Sequence, residues 1–394
     1  MATFKLFAAE DIRNTTSYLN QLVDVLGSDI SESSTRKQYQ VFVTGGLGPG
    51  ITSSLFQTVY DQDFTLQTAN PIFDITYGYS VESDLVTKTS SSTDDNEKIL
   101  WSSNYVMMRE KVDIYRLFAR ELLGDENSIF VASAGTNSYQ IKEAVFICFK
   151  RLFARDKVKR ETSAIRFFTS ASGGGALVPT PVGVENNIVQ SGVSASILTD
   201  IGSSTDRLFA PGGEYSIVVD SANITNPLGL LYLDRGILVL DMSRSFDQKT
   251  FISGAISSVE YTSGINGNMS ASLADFSVSA SIDDFLDHLC STRFTGSNET
   301  AITFQNITNI NSSIFFCRAS ADEFNYSSNP TYTDSQNRIV VIDQGEEIEQ
   351  KAFVFATSIG MYDANDNILA VAKLSRPVLK DDERDITFKV RLDF

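Results

Sequence analysis

The strictest alternation of apolar and polar positions in the chain lies at its C-terminal end. Ile386, Phe388, Val390, Leu392 and Phe394 take every second position, with Thr387, Lys389, Arg391 and Asp393 between them. A period of two lets a strand bury one face of a sheet and keep the other in water. Because the alternation runs to the last residue, it predicts a C-terminus held in a sheet. Upstream, Lys351-Ala-Phe-Val-Phe-Ala-Thr-Ser-Ile359 is rich in β-formers and carries Phe353 and Phe355. Asp363-Ala-Asn-Asp-Asn367, directly after Tyr362, is a polar break of turn formers, and Ile368-Leu-Ala-Val-Ala-Lys-Leu374 is apolar again. Two apolar runs around such a break predict a hairpin. Pro377 has no N–H to donate and so marks an edge or an exit from the sheet. A charged turn, Lys380-Asp-Asp-Glu-Arg384, then leads into the last strand.

A different period appears in the first half. Tyr105, Met108, Val112, Tyr115, Phe118 and Leu122 recur at steps of three and four, with Arg109, Lys111, Arg116 and Arg120 between them. This spacing predicts an amphipathic helix over about 104–123, stopped by Gly124. Its expected use is packing on a sheet, with Arg116 and Arg120 in water or against an acidic neighbour. Leu19, Leu22, Val23 and Leu26 also stand at helix-like spacing, so residues 1–30 read as a small helical or mixed entry, followed by a polar link from Ser31 to Gln38. Gln40-Val-Phe-Val43 is a short strand candidate. Phe64 and Leu66, and then Phe73, Ile75 and Tyr77, alternate with polar neighbours, which predicts strands with one polar side. Ser80 to Glu97 reads as a loop. Glu143–Lys150 and Ser163–Phe168 are strand candidates, while Arg151–Arg160 stays open between a turn of helix and a basic loop.

From about 169 to 345 the chain is dense in Ser, Asn, Gly and Thr. It holds short strand candidates at Ile188-Val189, Tyr215–Val219, Gly236–Leu240, Ile252–Val259, Ala301–Phe304, Ile314–Arg318 and Arg338–Ile342. Ser281–Cys290 predicts one short helix, with Ser281 and Asp284 at capping-box spacing and Phe285 and Leu289 as its apolar stripe. The fold class expected is mainly β with a few helices (α+β), in β-sandwich-like modules that close on an antiparallel C-terminal sheet. Three regions are expected: a mixed α+β region 1–168, a β-rich domain or insertion 169–345, and a β module 346–394 that completes a core with earlier strands.

Composition narrows the function classes. A chain of 394 residues exceeds one comfortable core, and 42% hydrophobic content with 27 Phe and 14 Tyr supplies ample apolar surface to bury. Thirty-two basic against forty-nine acidic side chains give a net charge of -17. A field of that sign repels phosphate backbones and anionic lipid, so neither nucleic acid nor membrane is an expected partner. No apolar run approaches the ~20 residues that cross a bilayer, and the opening residues lack the order of a signal peptide. Cys148, Cys290 and Cys317 are odd in number and scattered, which predicts buried thiols in a reducing compartment.

Motifs that carry chemistry are scarce. His288 is the single histidine, which excludes a two-histidine zinc site within one chain. Cys290 lies two residues further on and so does not share its helical face; an ordinary surface or capping histidine is expected. Asp61, Asp63, Asp363 and Asp366 fall in turn or strand-edge contexts, and the loop 363–367 lacks the glycine and distal Glu of a calcium loop. Gly45-Gly-Leu-Gly-Pro-Gly50 lacks the Lys-Ser/Thr ending of a phosphate loop and reads as a flexible bend. No nucleophile elbow and no thiol-redox pair occurs. The expectation is a non-enzyme with no catalytic residue, metal, cofactor or small-molecule substrate.

The stretch Ile359-Gly-Met-Tyr-Asp-Ala-Asn-Asp-Asn-Ile-Leu-Ala-Val-Ala-Lys-Leu-Ser-Arg-Pro377, with Asp385-Ile-Thr-Phe-Lys-Val-Arg-Leu-Asp-Phe394, resembles the closing module of contractile-phage baseplate proteins. It is especially similar to the wedge-protein family of T-even-like phages that forms a dimer joining the wedge; that family also ends in an apolar strand, a proline and a final alternating strand. Phe56–Leu66 and Ala144–Asp156 resemble structural proteins of T-even-like phages that infect marine cyanobacteria. The polar stretch 169–345 departs from the family pattern. The resemblance implies a virion structural protein, made in the host cytoplasm and built into the tail baseplate. Other phage baseplate and tail proteins, and a second copy in a homodimer, are its implied partners. Phe353, Phe355, Tyr362, Phe388, Val390, Leu392, Phe394, Arg116 and Arg120 are the interface candidates. Three other readings stay open: a neck or head decoration protein, a peripheral receptor- or carbohydrate-binding module using Trp101, and a tail-associated glycan hydrolase.

Overall fold

A computed structural model of the chain describes residues 4–39, 41–43, 51–93, 95, 99–101, 105, 107–168, 195–245, 249–251, 270–272, 277–278, 280–294, 299–327 and 329–394. The protein is mainly β, with a large antiparallel sheet and a few helices. It divides into two compact units, Asn20–Thr308, and Met1–Leu19 together with Asn309–Phe394. Boundaries near 168 and 345, as expected from composition, are not where the packing divides. Glu143–Phe149 pairs with Ile237–Asp241, from Ala144 opposite Asp241 to Cys148 opposite Ile237, so residues on either side of 168 share one sheet.

In the larger unit Glu143–Phe149 lies between Ile237–Asp241 and Pro71–Tyr79, and the sheet continues on one side through Asn223–Tyr232 and Gly213–Asp220. On the other side come Gln57–Tyr60 and Arg36–Gln38. Alternate residues of the central strand enter different cores. Val145 and Ile147 join Ile75, Tyr77, Leu238, Leu240 and Phe285. Ala144 and Phe146 join Tyr115, Ala119, Leu122, Phe130, Tyr232 and Val239. The helix Ile282–His288 feeds the first core, where the rings of Tyr77 and Phe285 stand 4.4 Å apart. The second core is closed by the helix Met108–Leu123 and the hairpin Phe130–Ala134/Asn137–Ile141. Its rings pack closely: Phe118 stacks on Phe146 at 4.0 Å, and Tyr115 meets Phe130 edge-on at 5.4 Å.

This two-sided burial corrects the expectation of one polar side for Pro71–Tyr79. Phe73, Ile75, Tyr77 and Tyr79 are fully buried, and Ile72 and Thr76 on the opposite face are buried too. Two of its polar side chains are satisfied locally: Thr76 Oγ1 donates to Leu55 O at 2.6 Å, and the Tyr77 hydroxyl to Ser277 O at 2.9 Å. Tyr115 ties helix to hairpin through one hydroxyl, donating to Ile141 O at 2.6 Å and accepting from Phe130 N at 3.2 Å. Lys111, fully buried on the same helix, donates to Ser277 O, Val278 O and Ala280 O at 2.7–3.1 Å. Burial pulls its ammonium down to about 7.

The helix predicted over about 104–123 spans Met108–Leu123 and ends at Gly124 in the left-handed region, as its spacing implied. Ser281 caps the short helix as expected, accepting from Asp284 N at 3.1 Å. Other expectations are corrected. Residues 1–30 are not a helical entry: Ile12–Leu26 is one strand beside Thr300–Ala319. Val23 and Val25 are buried while Leu19, Leu22 and Leu26 are exposed, a period-two pattern that the scattered leucines mask. Phe64 and Leu66 lie exposed in a turn region, not in a strand. The loop expected at Ser80 to Glu97 contains the helix Asp84–Thr89, capped where Ser83 Oγ accepts from Leu85 N. Ala301–Phe304 and Ile314–Arg318 belong to a single strand, Thr300–Ala319. Arg338–Ile342 forms turns and one isolated bridge, because Asp334 accepts from Gln336 N and Arg338 N and closes the chain locally. The glycine cluster 45–50 and the candidates Ile188-Val189 and Ile252–Val259 lie outside the described residues.

The helix approaches its sheet most closely at Gly78, where a Cβ would stand 2.5 Å from Lys111 O and 2.8 Å from Tyr115 N. Gly78→Ala forces backbone apart from backbone and is expected to lower unfolding free energy by ~1–3 kcal/mol. Urea titration followed by circular dichroism checks it. A loss under half a kilocalorie would mean that the helix seats elsewhere.

Candidate docking surface

The smaller unit is assembled around the last strand, Ile386–Asp393, which pairs with Ser312–Ala319 from Asp393 opposite Ser312 to Ile386 opposite Ala319. Val390, opposite Phe315, is buried, and Ile386, Phe388 and Leu392 on the same side are half-buried. Thr387, Lys389, Arg391 and Asp393 are exposed, so the two-residue period reads as expected. Phe394 departs from it. Its backbone is tied by N and O to Asn311 at 2.9 and 3.2 Å, yet the residue is 76% exposed. From the N-terminal segment, Phe7 packs on Phe315 with centroids 5.4 Å apart, and Asp11 pairs with Arg318 at 2.7 Å.

The predicted hairpin is present. Val354–Tyr362 pairs with Ile368–Lys380, with register shifts between Ala356 and Ser358 and between Met361 and Tyr362. Asp363 closes the turn, accepting from Asn365 N and Asn367 N at 2.8 Å and from Asn367 Nδ2 at 3.0 Å. Hydrogen bonds from Asn367 and then Asn365 hold the Asp363 carboxyl below the usual range. At the other end Lys380 is buried and donates to Ala321 O, Asn325 Oδ1 and Asp381 O at 3.2, 2.6 and 2.6 Å. The strand runs through Pro377, which sits exposed and fits an edge position.

Among the described residues this sheet has two strands only. A free-standing pair of strands is marginal in water and gains from a third. Its outer surface is apolar all the same: Phe355, Tyr362, Ile368, Leu369 and Val371 are exposed, the last three by more than 60%. Gly360 lies opposite Val371, and the Tyr362 ring leans over the space that a side chain at 360 would fill. Phe4 meets that ring edge-on at 5.2 Å.

The sequence-derived candidates therefore separate. Phe355 and Tyr362 are on the exposed hairpin surface, and Phe353 is half-buried with its ring 5.7 Å from that of Phe355. Phe388, Val390 and Leu392 pack inward. Arg116 and Arg120 belong to the larger unit, Arg116 half-buried and Arg120 exposed. The ion pairs described on their helix are made by Arg109 with Asp113 and Glu121 with Arg235. Ile368, Leu369 and Val371 were not among the candidates. The signal was present in Leu369-Ala-Val-Ala372, where the alanines take the half-covered face and the larger side chains the open one.

The residues that chemistry might use are occupied with structure. His288, expected at the surface or a cap, is 1% exposed, because its helix turns that side into the first core. Burial pulls its imidazole down to about 3 and pushes the Cys290 thiol up to about 11, so near neutral pH the ring is uncharged and the thiol protonated. Burial likewise pushes Cys148 up to about 12. All three cysteines are free thiols. Asp61 accepts from Asn70 N at 2.7 Å and Asp63 from Thr65 N at 2.9 Å, so both close turns. Among the described residues no group of three or more His, Cys, Asp or Glu side chains is placed to hold a metal ion, and no helix is long and apolar enough to cross a membrane. Comparison with protein-family models, with curated proteins and with solved structures finds no match.

Two outcomes test this partition. Val390→Asp buries a carboxylate against Phe315 and is expected to cost ~2–4 kcal/mol, whereas Phe394→Ser stays within about half a kilocalorie; denaturant titration of the pair separates strand packing from exposed surface. The second concerns Asp241, which burial raises to about 6 from 3.8, with Ser243 N and Oγ donating to Oδ1 at 3.0 and 2.7 Å. A raised folded-state value means that the folded protein holds this proton more tightly, so the stability it contributes is complete below 3.8 and is lost as pH rises through about 6. Asp241→Asn keeps an oxygen for Ser243 and is expected to raise stability by ~1–3 kcal/mol at pH 7.5 and by almost nothing near pH 3.5. Equal gains at both pH values would rule out the titration.

Proposed function

We propose that the chain is a non-enzymatic structural protein of a contractile tail, a baseplate wedge component that joins neighbouring subunits in the virion after assembly in the host cytoplasm. The observation that carries this reading is the hairpin Val354–Tyr362/Ile368–Lys380. It combines two strands with no third among the described residues, a root fixed by a buried ammonium, and an open surface of Phe355, Tyr362, Ile368, Leu369 and Val371. Surface of that kind gains by being covered, at about 25 cal/mol per Å² of apolar area removed from water. Strand edges are completed at the same time by a partner's backbone. The resemblance of Ile359–Pro377 and Asp385–Phe394 to baseplate closing modules supplies the setting, with other baseplate and tail proteins as the partners. The buried, neutral His288 and the raised thiols support a role in packing and not in turnover.

Co-expression with the other tail proteins of the same phage, followed by gradient sedimentation, tests the reading. The chain is expected to migrate with wedge components, and Leu369→Asp with Val371→Asp is expected to release it without lowering its melting temperature. Binding to glycans by a chain that never joins a tail complex would favour a peripheral receptor-binding module instead.

A further inference from the structure

The turn end of the hairpin is held to the body of the smaller unit by the segment 4–7, which belongs to no helix or strand. Two of its side chains reach the body. Lys5 Nζ forms an ion pair with the Glu323 carboxylate and donates to Ser320 Oγ at 3.3 Å, and Phe7 packs on Phe315. Phe4 and Leu6 alternate with these and stay 67% and 90% exposed, so neither is committed to a core. What Phe4 does touch is Tyr362, beside the turn, whose ring it meets edge-on at 5.2 Å. The ribbon is therefore fastened at both ends, and unequally. At the root the buried Lys380 ammonium donates three hydrogen bonds, one of them to Ala321 O next to Ser320. At the turn there is one ring contact and one ion pair whose side chains are about a third exposed, where water and salt weaken the attraction. Such a contact opens far more readily than a buried ammonium with its three acceptors.

We propose that the segment 4–7 is a releasable strap, which closes the turn end of the hairpin onto the smaller unit and competes with a partner for the ring of Tyr362. The competition rests on the assembly reading above; the strap itself does not. Tyr362 is one of the exposed apolar side chains of the docking surface, and Gly360 lets its ring lie over the sheet with Phe4 against it. A partner that covers this ring has to displace Phe4. The hairpin surface is then presented in full only while the strap is open, and its apparent affinity falls with the fraction of molecules in that state. Lys5 sets that fraction from outside the docking surface, since its partners Ser320 and Glu323 belong to the loop that follows Thr300–Ala319.

Hydroxyl-radical footprinting of the full-length chain, read by mass spectrometry, tests the strap. Lys5→Glu sets two carboxylates against each other and is expected to raise the labelling of Tyr362 about twofold or more, and Phe4→Ser to do the same. Tyr332, buried in the same unit, is the internal reference, and its labelling is expected to stay constant if the variants fold. Titrated onto the tail proteins of the same phage expressed without it, the Lys5→Glu chain is expected to reach half-saturation at about a third of the wild-type concentration. Tyr362 labelling that is unchanged in both variants overturns the strap, whether or not the chain enters a tail complex. Faster labelling with no gain in binding overturns the competition. A chain whose Tyr362 responds but which binds no tail protein sinks the assembly reading and the competition together, and leaves the strap standing.

Discussion

The larger unit depends on one constraint, the burial of its central strands on both faces. Glu143–Phe149 sends alternate side chains into two separate cores, and Pro71–Tyr79 beside it places Phe73, Ile75, Tyr77 and Tyr79 in the first while Ile72 and Thr76 are also buried. Such strands must satisfy their polar atoms inside the protein, since an unmade hydrogen bond there costs more than a typical one gains. Thr76, Tyr77, Tyr115 and Lys111 each do so by reaching a backbone carbonyl. The helix Met108–Leu123 can lie close enough to serve them only because residue 78 has no side chain.

How much of this was legible follows from the range of the forces involved. The helix, its glycine stop, the Ser281 cap, the hairpin turn and the last strand are specified by residues within a few positions of one another, and all were readable. Ile12–Leu26 was not. Its leucines stand at helical spacing, and only the neighbouring strand Thr300–Ala319, nearly three hundred residues away in sequence, makes an extended chain the better choice. The same holds for the domain boundaries, which composition placed at changes of texture although sheet pairing crosses them. His288 was misplaced because nothing local reveals which side of a short helix will meet a core.

The exposed hairpin surface was half visible. Phe355 and Tyr362 stand out by size, but Leu369 and Val371 sit in a run that looks like ordinary buried strand. Only the covering, or lack of it, tells the two faces of such a run apart, and alternation by itself does not fix which face turns inward. Alanines on the half-covered side and larger side chains on the open one reverse the usual order of a core. That reversal is one of the observations on which the proposed role in assembly rests.

The anchoring of Lys380 has a mechanical consequence. Its ammonium clamps one end of the ribbon to the loop at Ala321 and Asn325, while Tyr362, at the turn, lies eight residues along the partner strand from Val354, the residue opposite Lys380. At ~3.3 Å per residue the tip is about 26 Å from the clamp, so a few degrees of rotation at the root become about 2 Å of travel at the tip. A ribbon clamped in this way can shift at its tip while the hydrogen bonds at its root stay in place.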